Sequence, residues 1–541
     1  MAQAYFSAPT WVESKALKAR KYDILGLRNP TQTIGNLCLN GIITITPQIR
    51  YLSLRVFIVY LYAKCELPNS EAAFRRFADK IEAAFALGMK YTDPEKTGVI
   101  GATKALEIIK AAEPVIRLEK LVKSQTAVTI YSNISTQLGI YASDSHSPIT
   151  PLTQHSGGPL SALIFNTLKE CSFVRRIIQT GEPDSISFEE IIELGEVFSL
   201  YRIPENERQQ LTRVLLPDLK LSPTFQKSEY YRLATYTALL ALAKDLERPP
   251  IEDDLLKIAS SPKIDNPDIP QEILDGWLAF LIRDTLAFAH EKVLELIIRE
   301  IKRVASIQAH AAMVIDKIVE DQTSIESTLI DFGVLHDGED YEGLEFNTVF
   351  ERLTNQIVIV ATDSLFNRWD KPELSEARLL EYFKTAGPEK VAVLPILWMI
   401  TELRLKQGHT HPFIDNLSRY GNARLGLNER INPSLAKWKN ENPPYHEVVK
   451  QLIQTTVDQH TRIAWSRMAN DPKKDITVIH VDGAFWQFKE IYTGSRTDAR
   501  ISQAVGWLSQ LDLISENGIT SNGLLELDRC LSTLKYCQGG K

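Results

Sequence analysis

Residues 497–519, TDARISQAVGWLSQLDLISENGI, decide how the C-terminal part of this chain folds. Thr497 is a suitable helix cap, and the apolar positions that follow recur at helical spacing: Ile501, Ala504, Val505 and Leu508. Two short apolar runs then flank Asn517-Gly518, a dipeptide that strongly favours a type I′ hairpin turn. This order predicts a winged-helix module over residues 486–541, with the helix as the recognition helix and the hairpin as the wing.

The charge of this module leaves its ligand open. From Phe485 to Lys541 there are six Lys or Arg residues and six Asp or Glu residues, so the module is formally neutral. Four side chains on or beside the predicted recognition helix could contact phosphates or base edges: Arg496, Arg500, Gln503 and Gln510. Glu516 in the wing would instead face a DNA backbone with the wrong sign. Because winged helices also dock proteins, DNA contact, partner docking and a purely structural role all stay open.

The composition is that of an ordinary globular protein. The 541 residues are 44% hydrophobic and 24% charged, which is far from the signature of disorder. A chain of this length should divide into about three or four domains. The formal net charge of −7 disfavours a surface that wraps nucleic acid throughout, because such binding needs clustered Lys and Arg.

The rest of the chain predicts a mainly α, multidomain helical protein. Residues 1–247 form a predicted N-terminal helical domain with a polar loop at 142–159, and a proline-rich linker follows at 248–270. We expect a middle helical domain at 271–440 and the C-terminal winged-helix module within 441–541. Strand-like runs are short, and no repeat of fixed period indicates a solenoid.

Two helices have the clearest patterns. From Leu286 to Val304 the apolar positions keep steps of three or four, which predicts a long amphipathic helix. The apolar run Tyr51–Tyr62 is short and is interrupted by Arg55, so it predicts a buried helix rather than a membrane span. The five cysteines are widely spaced, and no basic segment followed by a long apolar stretch opens the chain. We therefore expect a cytoplasmic protein without disulfides or membrane contact.

About the first 170 residues contain an unusual order of turns and helix starts. The segments that form it are Asp23-Ile24-Leu25-Gly26, Gly41–Thr46, Arg50-Tyr51, Gly98–Ala102, Gln137-Leu138-Gly139 and Ser156-Gly157-Gly158. This order resembles uncharacterised helical bacterial proteins associated with phage-defence gene clusters. The resemblance names no activity; it implies a component of a multi-protein defence system. In the alternative interpretation Arg50 only caps a carbonyl or pairs with an acid, and the glycines only permit turns.

One cluster of potential metal ligands is visible in the sequence. His409, His411 and Asp415 place two imidazoles and a carboxylate close together, where they could converge on one divalent ion. The cluster directly follows the helix that ends near Lys406, where histidines are also common for structural reasons. We therefore favour the structural interpretation over a metal site. Neither a phosphate-loop signature nor a nucleophile elbow occurs, and we expect no cofactor.

These patterns together predict a non-catalytic adaptor or sensor in a bacterial multi-protein system, with anti-phage defence as its setting. Its helical domains would bind other protein subunits, and its C-terminal module would bind double-stranded DNA or another subunit. One alternative is a metal-dependent nuclease or hydrolase that uses His409, His411 and Asp415. The other is a transcriptional regulator, which would normally require dimerisation to read a two-fold site.

Overall fold

Helices dominate the computed structural model: they contain 66% of its residues, and the strands are few and short. This confirms the mainly α class. The structure describes residues 23–111, 113–123, 125–142, 151–221, 225–260, 269–305, 308–359, 367–385, 387–406, 425–471 and 475–539. None of the helices within these ranges is both long enough and apolar enough to cross a membrane.

The helices are spread along the whole of the described chain. Their bounds are α1 (Arg28–Cys38), α2 (Tyr51–Lys64), α3 (Glu71–Thr92), α4 (Ala102–Ala111), α5 (Ala127–Gln137), α6 (Gly157–Leu168), α7 (Ser172–Thr180), α8 (Phe188–Val197), α9 (Glu205–Leu215), α10 (Lys227–Leu246), α11 (Glu252–Ser260), α12 (Gln271–Ala305), α13 (Ala311–Val319), α14 (Gln322–Asp331), α15 (Phe346–Asn355), α16 (Glu376–Tyr382), α17 (Glu389–Lys406), α18 (Asn432–Glu441), α19 (Tyr445–Asn470), α20 (Ile501–Gln510) and α21 (Ser521–Gly539). α11 lies inside the segment 248–270 that was expected to be a linker.

The strands pair antiparallel in small sheets. Their bounds are β1 (Val115–Arg117), β2 (Ser185–Ser187), β3 (Gln308–His310), β4 (Ile357–Ile359), β5 (Asn367–Trp369), β6 (Ile479–Asp482), β7 (Phe485–Phe488), β8 (Ile514–Ser515) and β9 (Gly518–Ile519). β1 pairs with β2, β4 with β5 and β8 with β9, while β7 lies between β3 and β6 in a three-stranded sheet.

The chain divides into two compact units, and each unit combines segments that are distant in sequence. Unit 1 comprises Met1–Ile34, Leu256–Ile264 and Leu274–Thr497, as far as the structure describes them. Unit 2 comprises Gly35–Leu255, Asp265–Ile273 and Asp498–Lys541 in the same sense. This division differs from the contiguous domains expected from the sequence. The physical reason is that the C-terminal helix α21 packs against α10, in the unit that residues near the N-terminus build.

In unit 2 the apolar helix α2 packs against α3, α5 and α6. Every residue from Tyr51 to Val59 is buried, so the expected buried helix is confirmed. α3 and α8 approach each other closely at two glycines: a Cβ atom added to Gly88 would lie 2.9 Å from the backbone nitrogen of Gly195. Only glycine permits such a close contact between helix backbones.

In unit 1 the long helix α12 forms much of the core. Its apolar stripe is almost fully buried at Ala289, Val293, Ile297 and Ile301, which confirms the long amphipathic helix expected from Leu286 onward. The structure extends this helix back to Gln271. The sequence around that start includes Asp275, Arg283 and Asp284, which are buried charged residues, so hydrophobic periodicity alone could not show how far the helix reaches.

His460 on α19 joins two other segments of unit 1. Its Nε2 atom accepts a hydrogen bond from the Val478 amide at 3.0 Å, and its Nδ1 atom lies 3.2 Å from the Ile24 carbonyl oxygen. An imidazole nitrogen that accepts a hydrogen bond cannot carry a proton, so the ring is neutral with Nδ1 as the donor. Burial lowers the pKa of His460 to about 4.

We expect unit 1 to lose stability as the pH falls from 6.5 towards about 4. The pKa of His460 is lower in the folded chain than in the unfolded chain, so the unfolded chain takes up the proton first. The stabilisation is therefore complete above pH 6.5 and is lost as the pH falls through the folded-state pKa, at a cost of roughly 1–3 kcal/mol. Urea unfolding at a series of pH values measures this slope. His460→Gln, which cannot take up the proton, should flatten the slope; an equally steep slope in that variant would contradict the assignment.

Candidate interaction surface at the C-terminus

The end of the chain folds as helix, hairpin and helix within unit 2. α20 begins at Ile501, after Arg500 in the left-handed region, and no side chain caps it. The expected cap at Thr497 is therefore wrong. In the hairpin Ser515 lies opposite Gly518, so the loop is Glu516-Asn517, one residue earlier than the expected Asn517-Gly518 turn.

Glycine is required at position 518 for two reasons. Its φ is 91°, a value that residues with a side chain rarely adopt. A Cβ atom there would also lie 2.4 Å from the Ala243 carbonyl oxygen near the end of α10. Gly518 therefore allows the hairpin to pack closely against α10.

One face of α20 forms part of the core of unit 2. Val505 and Leu508 are buried, as expected, and Trp507 is fully buried between them. The indole Nε1 atom of Trp507 donates a hydrogen bond to the Thr46 carbonyl oxygen at 2.8 Å. The segment that follows α1 therefore covers this face of the helix.

The two glutamines that were predicted to contact bases, Gln503 and Gln510, both form hydrogen bonds with the segment that follows α1. Gln510 accepts from the Ile49 amide at 2.9 Å and donates to the Pro47 carbonyl oxygen at 2.7 Å. Gln503 donates to the Thr44 carbonyl oxygen at 3.4 Å. A base contact by either side chain would have to replace a hydrogen bond within unit 2.

The two arginines proposed for phosphate contacts belong to different units of the chain. Arg500 is 8% exposed, and its guanidinium donates to Asn36 Oδ1 at 2.8 Å and to the Ile42 carbonyl oxygen at 2.9 Å. Arg496 belongs to unit 1, where its Nε atom lies 3.3 Å from Asp284 Oδ2. Each guanidinium is therefore engaged within its own unit.

The exposed surface of the module is acidic. α20, with the sequence ISQAVGWLSQ, has no charged residue at all. Among the described residues 498–539, the exposed charged side chains are Asp498, Asp512, Glu516, Asp528 and Lys535. Four acids and one base attract a polyanion poorly, because phosphate binding depends on displacing counterions with cationic side chains.

The C-terminal helix α21 has one buried and one exposed apolar face. Leu527, Cys530, Leu534 and Cys537 are buried, on the side that packs against α10. On the other side Leu525 is 69% exposed and Tyr536 is 61% exposed, with Leu524 also exposed. We call Leu524, Leu525 and Tyr536 the outer face of α21. Leu525 and Tyr536 lie on the same side of the helix about three turns apart, and exposed apolar side chains on one side of a helix are suited to contact another protein.

Known proteins do not identify this arrangement. No family model, curated protein or solved structure matches the chain.

A cavity of about 470 Å³ lies in unit 2 beside α7, α8 and the sheet of β1 and β2. In its lining Arg176 forms two hydrogen bonds of 3.0 Å with Glu190. Glu190 also accepts from the Ser187 amide while Ser187 Oγ accepts from the Glu190 amide, which is a capping box at the start of α8. Ser187 and Glu190 therefore stabilise the start of α8.

The proposed metal ligands His409, His411 and Asp415 lie outside the described residues. Within the described ranges, no group of three or more His, Cys, Asp or Glu side chains could hold a metal ion. The cysteines are free thiols, and burial raises the pKa of the Cys530 thiol to about 12. That thiol is therefore protonated, and unreactive as a nucleophile, at neutral pH.

The outer face of α21 was not predicted from the sequence, and the role of Arg50 was left open. A signal for the outer face was present, since Leu524, Leu525, Leu527, Leu531 and Leu534 are too many apolar residues for one buried stripe of a surface helix. The structure places the Arg50 side chain in a buried ion pair with Glu207, in agreement with the alternative that Arg50 pairs with an acid.

Proposed function

We propose that the chain is a non-catalytic adaptor that binds a partner protein through the outer face of α21. The observation that carries this proposal is the exposure of Leu525 and Tyr536 on a helix whose opposite face is packed against α10. Exposed Leu and Tyr side chains on one rigid helix are suited to act as binding anchors. Tyr in particular contributes large contact area at interfaces.

A protein partner fits this surface better than DNA. The face of α20 that would read DNA has no cation, and the exposed charges of the module are mostly acidic. Arg500 would have to leave its buried hydrogen bonds to reach a phosphate. We accordingly propose that α20, the hairpin and α21 form a winged-helix module that docks a protein.

The cellular setting follows from the resemblance of the N-terminal segments. That resemblance implies a subunit of a bacterial multi-protein system in anti-phage defence, and we propose the cytoplasm as the location of this chain.

The two alternative functions require different observations. A nuclease or hydrolase requires a bound metal, which elemental analysis of the purified chain would detect. A transcriptional regulator requires a dimer and sequence-specific binding to duplex DNA.

We expect the double substitution Leu525→Asp, Tyr536→Asp to abolish partner binding. Placing two carboxylates on the outer face leaves them buried without partners in the complex, and losing two anchors should reduce the recovery of the partner by about tenfold or more. The measurement is quantitative mass spectrometry of proteins that copurify with the tagged chain from its native host.

The matched control is the double substitution Val115→Asp, Ile251→Asp. It also places two carboxylates at exposed apolar positions of unit 2, since these side chains are 58% and 56% exposed. Partner recovery should stay unchanged in this control. Equal recovery with both double variants would contradict the proposed docking surface, and so would recovery of DNA alone.

A further inference from the structure

Two guanidinium groups converge on the end of α1 inside unit 2. Arg232 on α10 donates to Asn40 Oδ1 at 2.7 Å and to the Gln137 carbonyl oxygen at 2.9 Å. Arg500 donates to Asn36 Oδ1 and to the Ile42 carbonyl oxygen. Both arginines are buried, with exposures of 1% and 8%.

Among the described residues neither guanidinium forms a hydrogen bond or an ion pair with a carboxylate, although the charge of Glu229 raises the pKa of Arg232 and that of Asp498 raises the pKa of Arg500. Their hydrogen-bond acceptors are neutral amide and carbonyl oxygens. Arg50, a third buried arginine of unit 2, is different because it forms two hydrogen bonds with the Glu207 carboxylate. Burial of an uncompensated charge is costly, so buried cations are normally paired.

Two buried hydrogen-bonding groups on α10 have no partner in the described structure. The Nε atom of Arg232 and the hydroxyl of Tyr236 are buried and have no hydrogen-bond partner in the described structure. Tyr236 lies one helical turn after Arg232 on α10, and both guanidiniums act on the pKa of its phenol, lowering it against the larger rise that burial causes. The spacing of four residues places Tyr236 on the same side of α10 as Arg232, whose guanidinium bonds Asn40, two residues from the Ile42 carbonyl oxygen that Arg500 bonds. Burial also lowers the pKa of Arg232 and of Arg500.

We propose that Arg232, Arg500 and Tyr236 bind a small oxyanion of the phosphate or sulfate class. One tetrahedral oxyanion compensates two positive charges and accepts hydrogen bonds from the Arg232 Nε–H and the Tyr236 hydroxyl, the two groups that otherwise lack partners. It must be small, because the buried arginines are beyond the reach of a nucleic-acid backbone. Bound there, it would link the end of α1, α10 and the start of α20, and it does not depend on what docks on α21.

The test is thermal unfolding of the full chain in inorganic phosphate and, separately, in sulfate, each compared with chloride at equal ionic strength. A ligand that binds only the folded state raises the Tm, and we expect a rise of at least about 2 °C in one of the two oxyanions. Phosphate and sulfate released by acid denaturation are quantified in parallel. This second readout detects an oxyanion that the protein retained through purification, in which case about one equivalent is released.

Arg500→Gln and Tyr236→Phe should both reduce the oxyanion effect. Tyr236→Phe removes one unpartnered hydroxyl and keeps the ring, so it remains a valid test if Arg500→Gln does not fold. Arg117→Gln removes the same charge from a side chain that is 85% exposed, and it should keep the full effect. The proposal is overturned if the wild type shows neither a Tm rise nor a released oxyanion. It is also overturned if Tyr236→Phe and Arg117→Gln respond alike.

Discussion

Replacing Trp507 by alanine is expected to lower the free energy of unfolding of unit 2 by about 3–5 kcal/mol. The indole is fully buried in α20, so its removal leaves a large cavity that the surrounding side chains fill only in part. It also removes the hydrogen bond to the Thr46 carbonyl oxygen. A buried carbonyl that loses its donor adds a desolvation cost.

Urea unfolding followed by circular dichroism measures this loss. Ser509→Ala is the matched control, because Ser509 lies on the same helix with its side chain exposed, and its effect should stay within about 0.5 kcal/mol. If Trp507→Ala changed stability no more than Ser509→Ala, α20 would not be packed against the segment near Thr46.

The second large effect is expected at the buried ion pair of Arg50 and Glu207. Both side chains are 1% exposed, and the pair has two hydrogen bonds, of 2.9 and 2.7 Å. Arg50 also donates to the carbonyl oxygens of Ser199 and Arg202, and its guanidinium lies 4.2 Å from the centre of the Phe198 ring. Glu207→Leu should cost about 3–5 kcal/mol, because it leaves the guanidinium buried without its counter-charge.

The double substitution Arg50→Met, Glu207→Leu gives the decisive comparison. It removes both charges, so it should be less destabilising than Glu207→Leu alone, although two backbone carbonyls lose their donor. Urea midpoints of the two variants and the wild type measure the difference. A double variant that is less stable than Glu207→Leu alone would show that the carbonyl contacts of Arg50, rather than its charge pairing, dominate.

The elements that the sequence predicted well are those with a strong hydrophobic pattern. The run from Tyr51 became the buried helix α2, and the stripe from Leu286 became the buried side of α12. The burial of Val505 and Leu508 was likewise predictable, because apolar spacing alone decides which face of a short helix meets a core.

Long-range contacts explain what the sequence could not predict. Arg500 has the same local sequence whether it faces solvent or donates to the Ile42 carbonyl oxygen, 458 residues earlier in the chain. The domain boundaries expected from the sequence stay a prediction. Composition marks exposed linkers, but it does not show that residues 498–541 complete a unit begun at residue 35.

The candidate site was predictable only in its local structure. The helix and the hairpin followed from the apolar spacing and the turn residues, but the sequence assigned function to polar side chains on or beside α20. In the structure three of these side chains, Arg500, Gln503 and Gln510, bind backbone carbonyls of unit 2. The outer face of α21 depends on which side of that helix α10 covers, and this is a property of tertiary packing.

Site-specific photocrosslinking in the native host tests the docking surface most directly. A photoreactive benzoylphenylalanine at position 525 lies on the outer face of α21, and the same residue at position 115 lies on an exposed apolar site elsewhere in unit 2. The account predicts a discrete protein adduct from position 525 that is absent from position 115. No protein adduct from position 525, or the same adduct from both positions, would contradict it.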